Sequence, residues 1–256
     1  MISKLIKFPI LKRLIPSILL RVLKILNKNR GYFKIKNFKM FLDFLDPIDR
    51  EIILFQEFEK LEINYLLDQF KNLNVQYFLD IGSNCGYYSI IIAQECPKIR
   101  IFTYEPNQEA YFKFKKTLEI NPKIKKKIIS NNFGLSNSNT KLIIKSLKKH
   151  GYIQTGGSSI ERKYSKGTYN ESLEDFKVGD EIIDLKNSII GIKIDVEGHE
   201  LKVLEGLNKV LKKNKCVIQI EIFEKNFINV DKFLCTNNFR LINKIKKRSN
   251  FFYKNF

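Results

Sequence analysis

The chain has 256 residues, 44% hydrophobic and 29% charged, with 46 Lys and Arg against 27 Asp and Glu for a formal net charge of +19. That apolar content supplies a buried core and excludes wholesale disorder, and the length suits one domain of ordinary size with an extension. Excess positive charge points to an anionic partner, but Lys outnumbers Arg 38 to 8 and Trp is absent, which is also the composition of AT-rich coding sequence on solvated faces.

Position separates these readings. Eleven Lys or Arg and no acid lie between Met1 and Met40, and the first acid is Asp43. The remaining 216 residues share a net charge of only +8. The longest uncharged stretch of the basic segment, Leu14 to Leu20, is seven residues, against the ~20 that a bilayer span needs. No small-residue cleavage site follows, so neither a signal peptide nor a transmembrane helix is expected, and a cytoplasmic protein is. From Pro16 to Lys28 the spacing is helical. Ser17, Arg21, Lys24 and Lys28 fall on one face; Ile18, Leu19, Val22, Ile25 and Leu26 fall on the other. Residues 1–28 therefore read either as a peripheral contact with an anionic membrane or as a helix packed on the domain. The expected division is an extension over 1–30 and one domain over 31–256.

Tyr32–Ile35 and Met40–Phe44 read as two short strands around Asn37. Asp46-Pro47 then supplies a cap and first turn for a long helix predicted from Ile48 to Phe70. A regular alternation follows: strand Tyr77–Ile81, helix Tyr87–Gln94, strand Arg100–Glu105, and helix Gln108–Ile120 capped by Asn107. Lys127–Phe133 and Lys141–Leu147 are predicted strands. Residues 148–180, polar with Gly156-Gly157-Ser158-Ser159 inside, read as loop, either a lid over an acceptor or merely solvated. His150 falls in this basic stretch and is expected to be exposed. Strand Ile189–Ile194, helix Leu201–Leu211, strand Cys216–Ile222 and helix Asn229–Asn237 come next, and Phe239–Lys246 with Phe251–Lys254 could close an antiparallel pair. Such alternation gives an α/β fold, a parallel sheet with helices on both faces, whose ligands bind at the C-terminal strand ends. Cys85, Cys96, Cys216 and Cys235 show no C-x-x-C spacing and no zinc pattern, so reduced thiols are expected and no metal ligands are assigned.

Three strand ends carry chemistry. The first runs Asp80-Ile81-Gly82-Ser83-Asn84-Cys85-Gly86 into a helix. This is not a G-x-G-x-x-G fingerprint, but its physics is related. Glycine lets a ligand approach the backbone, and a helix N-terminus favours a carboxylate. Asp80 could accept from an ammonium. The methionine part of S-adenosylmethionine carries both groups. Glu105 ends the second strand at the distance expected of a carboxylate that takes ribose hydroxyls, and Asn132 beyond the third could reach an adenine. The fourth strand ends in Lys193-Ile194-Asp195-Val196-Glu197-Gly198-His199-Glu200. Asp195, Glu197 and His199, two carboxylates and an imidazole leaving one strand end, are the candidates for a general base. Glu197 could instead brace the turn at Gly198, and with Glu221 the acids could hold a divalent cation.

These stretches resemble the FkbM-type S-adenosylmethionine-dependent methyltransferases. The resemblance rests on Asp80–Gly86 with Tyr88-Ser89, on Tyr104–Asn107, and above all on Lys193–Glu200 with Leu201–Gly206 after it. Lys39–Asp43 and Asp49-Arg50 match upstream. It covers about residues 32–245; the family usually has Ala where this chain has Ser83. It implies a Rossmann-like class I methyltransferase fold with a mostly parallel seven-stranded sheet. It also implies S-adenosylmethionine as cofactor and O-methylation of a sugar or glycoconjugate hydroxyl, in glycolipid or polysaccharide. An RNA acceptor is disfavoured by scarce Arg and the lack of an aromatic–basic motif. A polyketide-like acceptor, or a non-catalytic interfacial module with a vestigial fold, are the remaining alternatives.

Overall fold

The computed structural model describes residues 18–19, 21–23, 25–26, 28–149, 152–160, 168–245 and 248–256. The first part of the expected N-terminal helix and His150 lie outside the described residues. Helical residues at 18–19, 21–23 and 25 precede a hairpin, β1 (Arg30–Ile35) and β2 (Phe38–Asp43), as the spacing around Asn37 predicts. Phe38, Met40 and Leu42 alternate inward, the period of two of a half-buried strand. Asp46 caps helix α1 (Pro47–Phe55) by accepting from the Ile48 N–H at 3.1 Å.

The single helix expected from Ile48 to Phe70 is in fact two. Helix α1 stops at Gln56 (φ 60) and α2 (Lys60–Leu73) begins after Glu59 (φ 43), both left-handed. No Gly or Pro marks the break. Tertiary hydrogen bonds hold it: Gln56 Oε1 accepts from the Lys36 N–H at 2.8 Å, and Glu59 accepts from the Tyr88 hydroxyl at 2.7 Å.

Then come β3 (Tyr77–Ile81), α3 (Tyr87–Glu95), β4 (Arg100–Tyr104), α4 (Gln108–Glu119), α5 (Pro122–Lys125) and β5 (Ile128–Asn131). Four strands follow: β6 (Gly134–Ser136), β7 (Thr140–Lys149), β8 (Tyr152–Ile153) and β9 (Tyr169–Val178). After the one-turn α6 (Gly179–Ile182) come β10 (Ile189–Ile194), α7 (Glu200–Gly206), α8 (Asn208–Lys213), β11 (Lys215–Glu221) and α9 (Glu224–Thr236). The hairpin β12 (Arg240–Lys244) and β13 (Asn250–Lys254) closes the chain. One helix over Leu201–Leu211 was expected; the break between α7 and α8 comes where Gly206 lies too close to the Ser136 carbonyl for a Cβ.

The main sheet has seven strands in the order β12-β13-β11-β10-β3-β4-β5. Only β13 runs antiparallel to its neighbours. Strand order reverses between β3 and β10, which opens a crevice at their C-terminal ends. Neighbouring strand residues feed opposite cores. Phe78 packs with Met40, Phe70 and Phe114 on one side of the sheet; Leu79 packs with Ile192, Leu204 and Ile218 on the other.

Residues 148–180 are not one loop. Strand β9 pairs antiparallel with β7 from Thr140↔Phe176 to Leu147↔Tyr169, and with β6 and β8 they form a separate four-stranded sheet. Glu171, Glu174, Asp175 and Lys177 make β9 read as polar. Cross-strand pairs of Lys141 with Asp175 and Lys145 with Glu171 accommodate those charges, so pairing overrides propensity. Near the N-terminus, Leu19 and Leu23 pack against Phe44 and Leu54, while Ile18, Val22, Ile25 and Leu26 stay exposed. Among the described residues no helix is long and apolar enough to cross a membrane.

One polar cluster sits inside this fold. Lys113 of α4 is 1% exposed and lies 2.7 Å from Asp49 and 3.2 Å from Asp46, both at the start of α1 and both buried. Burial pushes Asp49 up to about 6 against the pull of Lys113. The Lys113 charge holds Asp46 low despite its own burial. Removing one member of a buried charge group leaves the others unpaired. Lys113→Met should therefore cost about 3–5 kcal/mol of stability in urea unfolding; a loss below about 1 kcal/mol would contradict the role given to this lysine.

Candidate functional site

A cavity opens at the reversal of strand order. Strand ends form its polar side, through Gly82 and Asn84 after β3, Glu105 after β4, and Asp195, Glu197 and His199 after β10. The four-stranded sheet and the turn after β8 form the other side, with Leu135, Ile144 and Phe176 as apolar wall and Thr155–Ser158 over the mouth. The expected lid residues Gly156 to Ser158 thus line the cavity.

The glycine loop is shaped by packing. Gly82 has φ 78, and a Cβ there would collide with the Asp195 carbonyl oxygen. Gly86 has φ 79 and lies against the Phe114 ring. Their freedom lets strand β10 and helix α4 close on the loop, whereas the sequence pointed to ligand approach. Glu105 is buried and grips the loop: Oε2 accepts from the Asn84 N–H at 2.7 Å, and Oε1 from the Asn107 N–H at 2.9 Å. Burial pushes its carboxyl up to about 7, although both backbone donors pull it down.

Asp80, Ser83, Gly86 and Asn132 do not line the cavity. Asp80 is fully buried, accepts from the Ser89 hydroxyl at 2.6 Å, and is pushed up by burial with Lys193 opposing. Ser83 Oγ is buried beside the loop with no hydrogen-bond partner among the described residues. The Asn132 amide donates to the Glu105 carbonyl at 2.9 Å and so supports the turn beyond β4.

The fourth strand end places its groups differently. Asp195 meets the ammonium of buried Lys193 at 3.0 Å, and that ammonium also lies 4.8 Å from the centre of the Tyr88 ring. The Glu221 carboxyl hydrogen-bonds Asp195; burial and then the Asp195 charge push it up to about 8. Glu197 has φ 53, and its carbonyl accepts from the Ser159 hydroxyl at 2.7 Å. Glu200 braces the turn: its Oε1 accepts from the Gly198 N–H at 2.7 Å. His199 is buried, with Nε2 2.9 Å from Ser136 Oγ and its ring edge-on to Phe176. Sequence reasoning missed Thr155, Leu135, Ile144 and Phe176 as cavity residues. They come from distant chain segments, and no local pattern marks them.

A family model described as the methyltransferase FkbM domain matches residues 80–241, well over half of the chain. The chain belongs to the FkbM methyltransferase family. Among characterised relatives, the hexuronic acid methyltransferase AglP of Haloferax volcanii is 30% identical over 148 residues, covering 54% of this chain and 53% of the relative. The chain thus spans about half the length of the curated relative it matches. Among solved structures, methyltransferase FkbM from Methylobacillus flagellatus KT aligns with a TM-score of 0.50 and 16% identity, over 71% of this chain and 44% of that one. That likeness supports the fold. A human methyltransferase 10 domain containing protein aligns over 93% of this chain and 95% of its own at a TM-score of 0.48 and 11% identity. In this FkbM family member the matched region spans the glycine loop, Glu105 and the Lys193–Glu200 run.

Proposed function

We propose that this FkbM family member is an S-adenosylmethionine-dependent O-methyltransferase acting on a hydroxyl of a sugar or glycoconjugate. The observation that carries the reading is Glu105, a buried carboxylate on the cavity wall beside a glycine loop, where a nucleoside's ribose hydroxyls would find their acceptors. The residues present fit such a cofactor. Gly82 and Asn84 of the loop line one cavity with the Glu105 carboxylate and with the apolar side chains of Leu135, Ile144 and Phe176. Asp80 and Asn132 would support that half from behind, and Gly86 would start the helix whose N-terminus faces it. When bound, the cofactor supplies an electrophilic methyl group.

The chain's own residues then orient the acceptor and take its proton. Asp195 is the best placed: it lines the cavity with its charge anchored on Lys193. Glu197 and His199 wall the same space, His199 tied to Ser136. The sugar class is supported by the printed activity of AglP, a hexuronic acid methyltransferase. We also propose that the N-terminal segment rests on an anionic membrane, because Ile18, Val22, Ile25 and Leu26 are exposed within a segment rich in lysine.

Three measurements test this. Only the carboxylate form of Glu105 accepts two hydroxyls, so binding of S-adenosylhomocysteine should tighten as pH rises through about 7. The gain expected between pH 6 and pH 8 is about tenfold. Glu105→Gln should bind weakly with that rise abolished; an equal rise in both proteins would remove Glu105 from the site. Labelled methyl should pass from S-adenosylmethionine to an envelope glycolipid extract and fall about 100-fold or more in Asp195→Asn. Transfer to total RNA instead would overturn the acceptor class. Deleting residues 1–28 should abolish binding to phosphatidylglycerol liposomes and leave S-adenosylhomocysteine binding intact; liposome binding that survives the deletion would refute the membrane contact.

A further inference from the structure

Thr155 lies in the turn after β8, outside every strand of the main sheet, and is 5% exposed. Its backbone N–H donates to Asp46 Oδ2 at 2.9 Å, and its hydroxyl lies 2.7 Å from the same oxygen. The Lys113 ammonium donates to that hydroxyl at 3.2 Å. On its other side the hydroxyl is 2.9 Å from the side-chain oxygen of Asn84. Asn84 stands in the glycine loop at φ 48, and its N–H is the one Glu105 Oε2 accepts at 2.7 Å. The Thr155 hydroxyl and Asn84 thus link the buried Asp46–Asp49–Lys113 cluster to the carboxylate on the cavity wall.

A threonine hydroxyl has one proton to give and two lone pairs. Lys113 takes one lone pair. The proton goes to the Asp46 carboxylate, and the Asn84 amide turned about its axis donates to the remaining lone pair. This fixes the Asn84 side chain against Asp46, which is also bound by Lys113 and by the Thr155 backbone. The far end of the same segment is equally fixed. Ser159 exchanges backbone hydrogen bonds of 2.9 and 3.0 Å with Lys145, and its hydroxyl reaches the Glu197 carbonyl at 2.7 Å. Between them Gly156 lies against Ile48, with no room for a Cβ.

We propose that Thr155 is a positioning residue for cofactor binding: its hydroxyl holds Asn84, and through the Asn84 N–H the Glu105 carboxylate, in the orientation that receives a nucleoside's ribose. This rests on the cofactor reading above and adds a residue that acts through Asn84. Valine has the shape of threonine without the hydroxyl, so Thr155→Val breaks the link and keeps the packing.

The test is calorimetric titration of the full chain with S-adenosylhomocysteine, with thermal unfolding of each variant alongside. Thr155→Val should weaken binding about five- to tenfold, the scale of one lost buried hydrogen bond, and Thr155→Ser should return it to within about twofold. In an Asn84→Gly background, which keeps the backbone conformation but removes the side chain, Thr155→Val should have almost no further effect, because the two changes cut one path. Equal affinity of wild type and Thr155→Val overturns the proposal. So does a lower unfolding temperature with unchanged affinity, or a full additive loss in the Asn84→Gly background. If Thr155→Val does not fold, Thr155→Ala replaces it and is read in the same way. A wild type that does not bind S-adenosylhomocysteine refutes the cofactor reading and this proposal with it; a binding wild type matched by Thr155→Val refutes the proposal alone.

Discussion

Two strand ends must lie side by side for this site to exist. The Asp195 N–H donates to the Ile81 carbonyl at 3.0 Å, so the chain leaving β10 continues to pair with β3 for one residue past the strand. The Asp195 carbonyl then falls where a Cβ of residue 82 would be, and only glycine, in its left-handed conformation, allows it. From this contact the loop turns outward with Asn84 on Glu105, and Asp195 turns inward onto Lys193. Lys193 stands beside Asp80 in the β3–β10 register, and this single buried ammonium serves carboxylates on both strands. Burial disfavours its charge, but Asp195 and Asp80 together reverse the effect and raise it.

The cavity that follows has two unlike sides. The parallel strand ends bring carboxylates and backbone donors. The inserted four-stranded sheet brings Leu135, Ile144 and Phe176. Polar groups at few fixed points and an apolar wall opposite are what orient a ligand that has one flat apolar part and one hydroxylated part. The turn from Thr155 to Ser159 joins the sides, bonded to Asp46 and Asn84 at one end and to Glu197 at the other.

The main sheet was legible because buried parallel strands leave short apolar runs between helix patterns, and Tyr77–Ile81, Arg100–Tyr104 and Ile189–Ile194 fall where those runs predict. The closing antiparallel pair, the Asp46 and Asn107 caps and the N-terminal hairpin were equally readable, since each rests on local chemistry. Strand β9 was hidden by its charges, of which Asp175 and Glu171 pair with lysines of β7. At the site, the sequence places Asp80 at a strand end but does not say which way its side chain points. Ser89, nine residues on, takes it inward. Lys113 and Lys193 count among 46 basic residues and look like any solvated lysine, yet both are buried on carboxylates. Composition has no view of which lysines those are.

The Lys113 cluster also bears on the order in which the chain can become itself. Asp46 and Asp49 precede their lysine by 67 and 64 residues. During synthesis at about 5–20 residues per second, helix α1 therefore waits several seconds with two carboxylates that have no counter-charge to be buried with. Until α4 arrives, water is the better partner for both, and the hairpin and α1 have no reason to settle on the sheet. The hairpin and α1 are thus sealed to the rest of the fold by a lysine that lies 67 and 64 residues further along the chain.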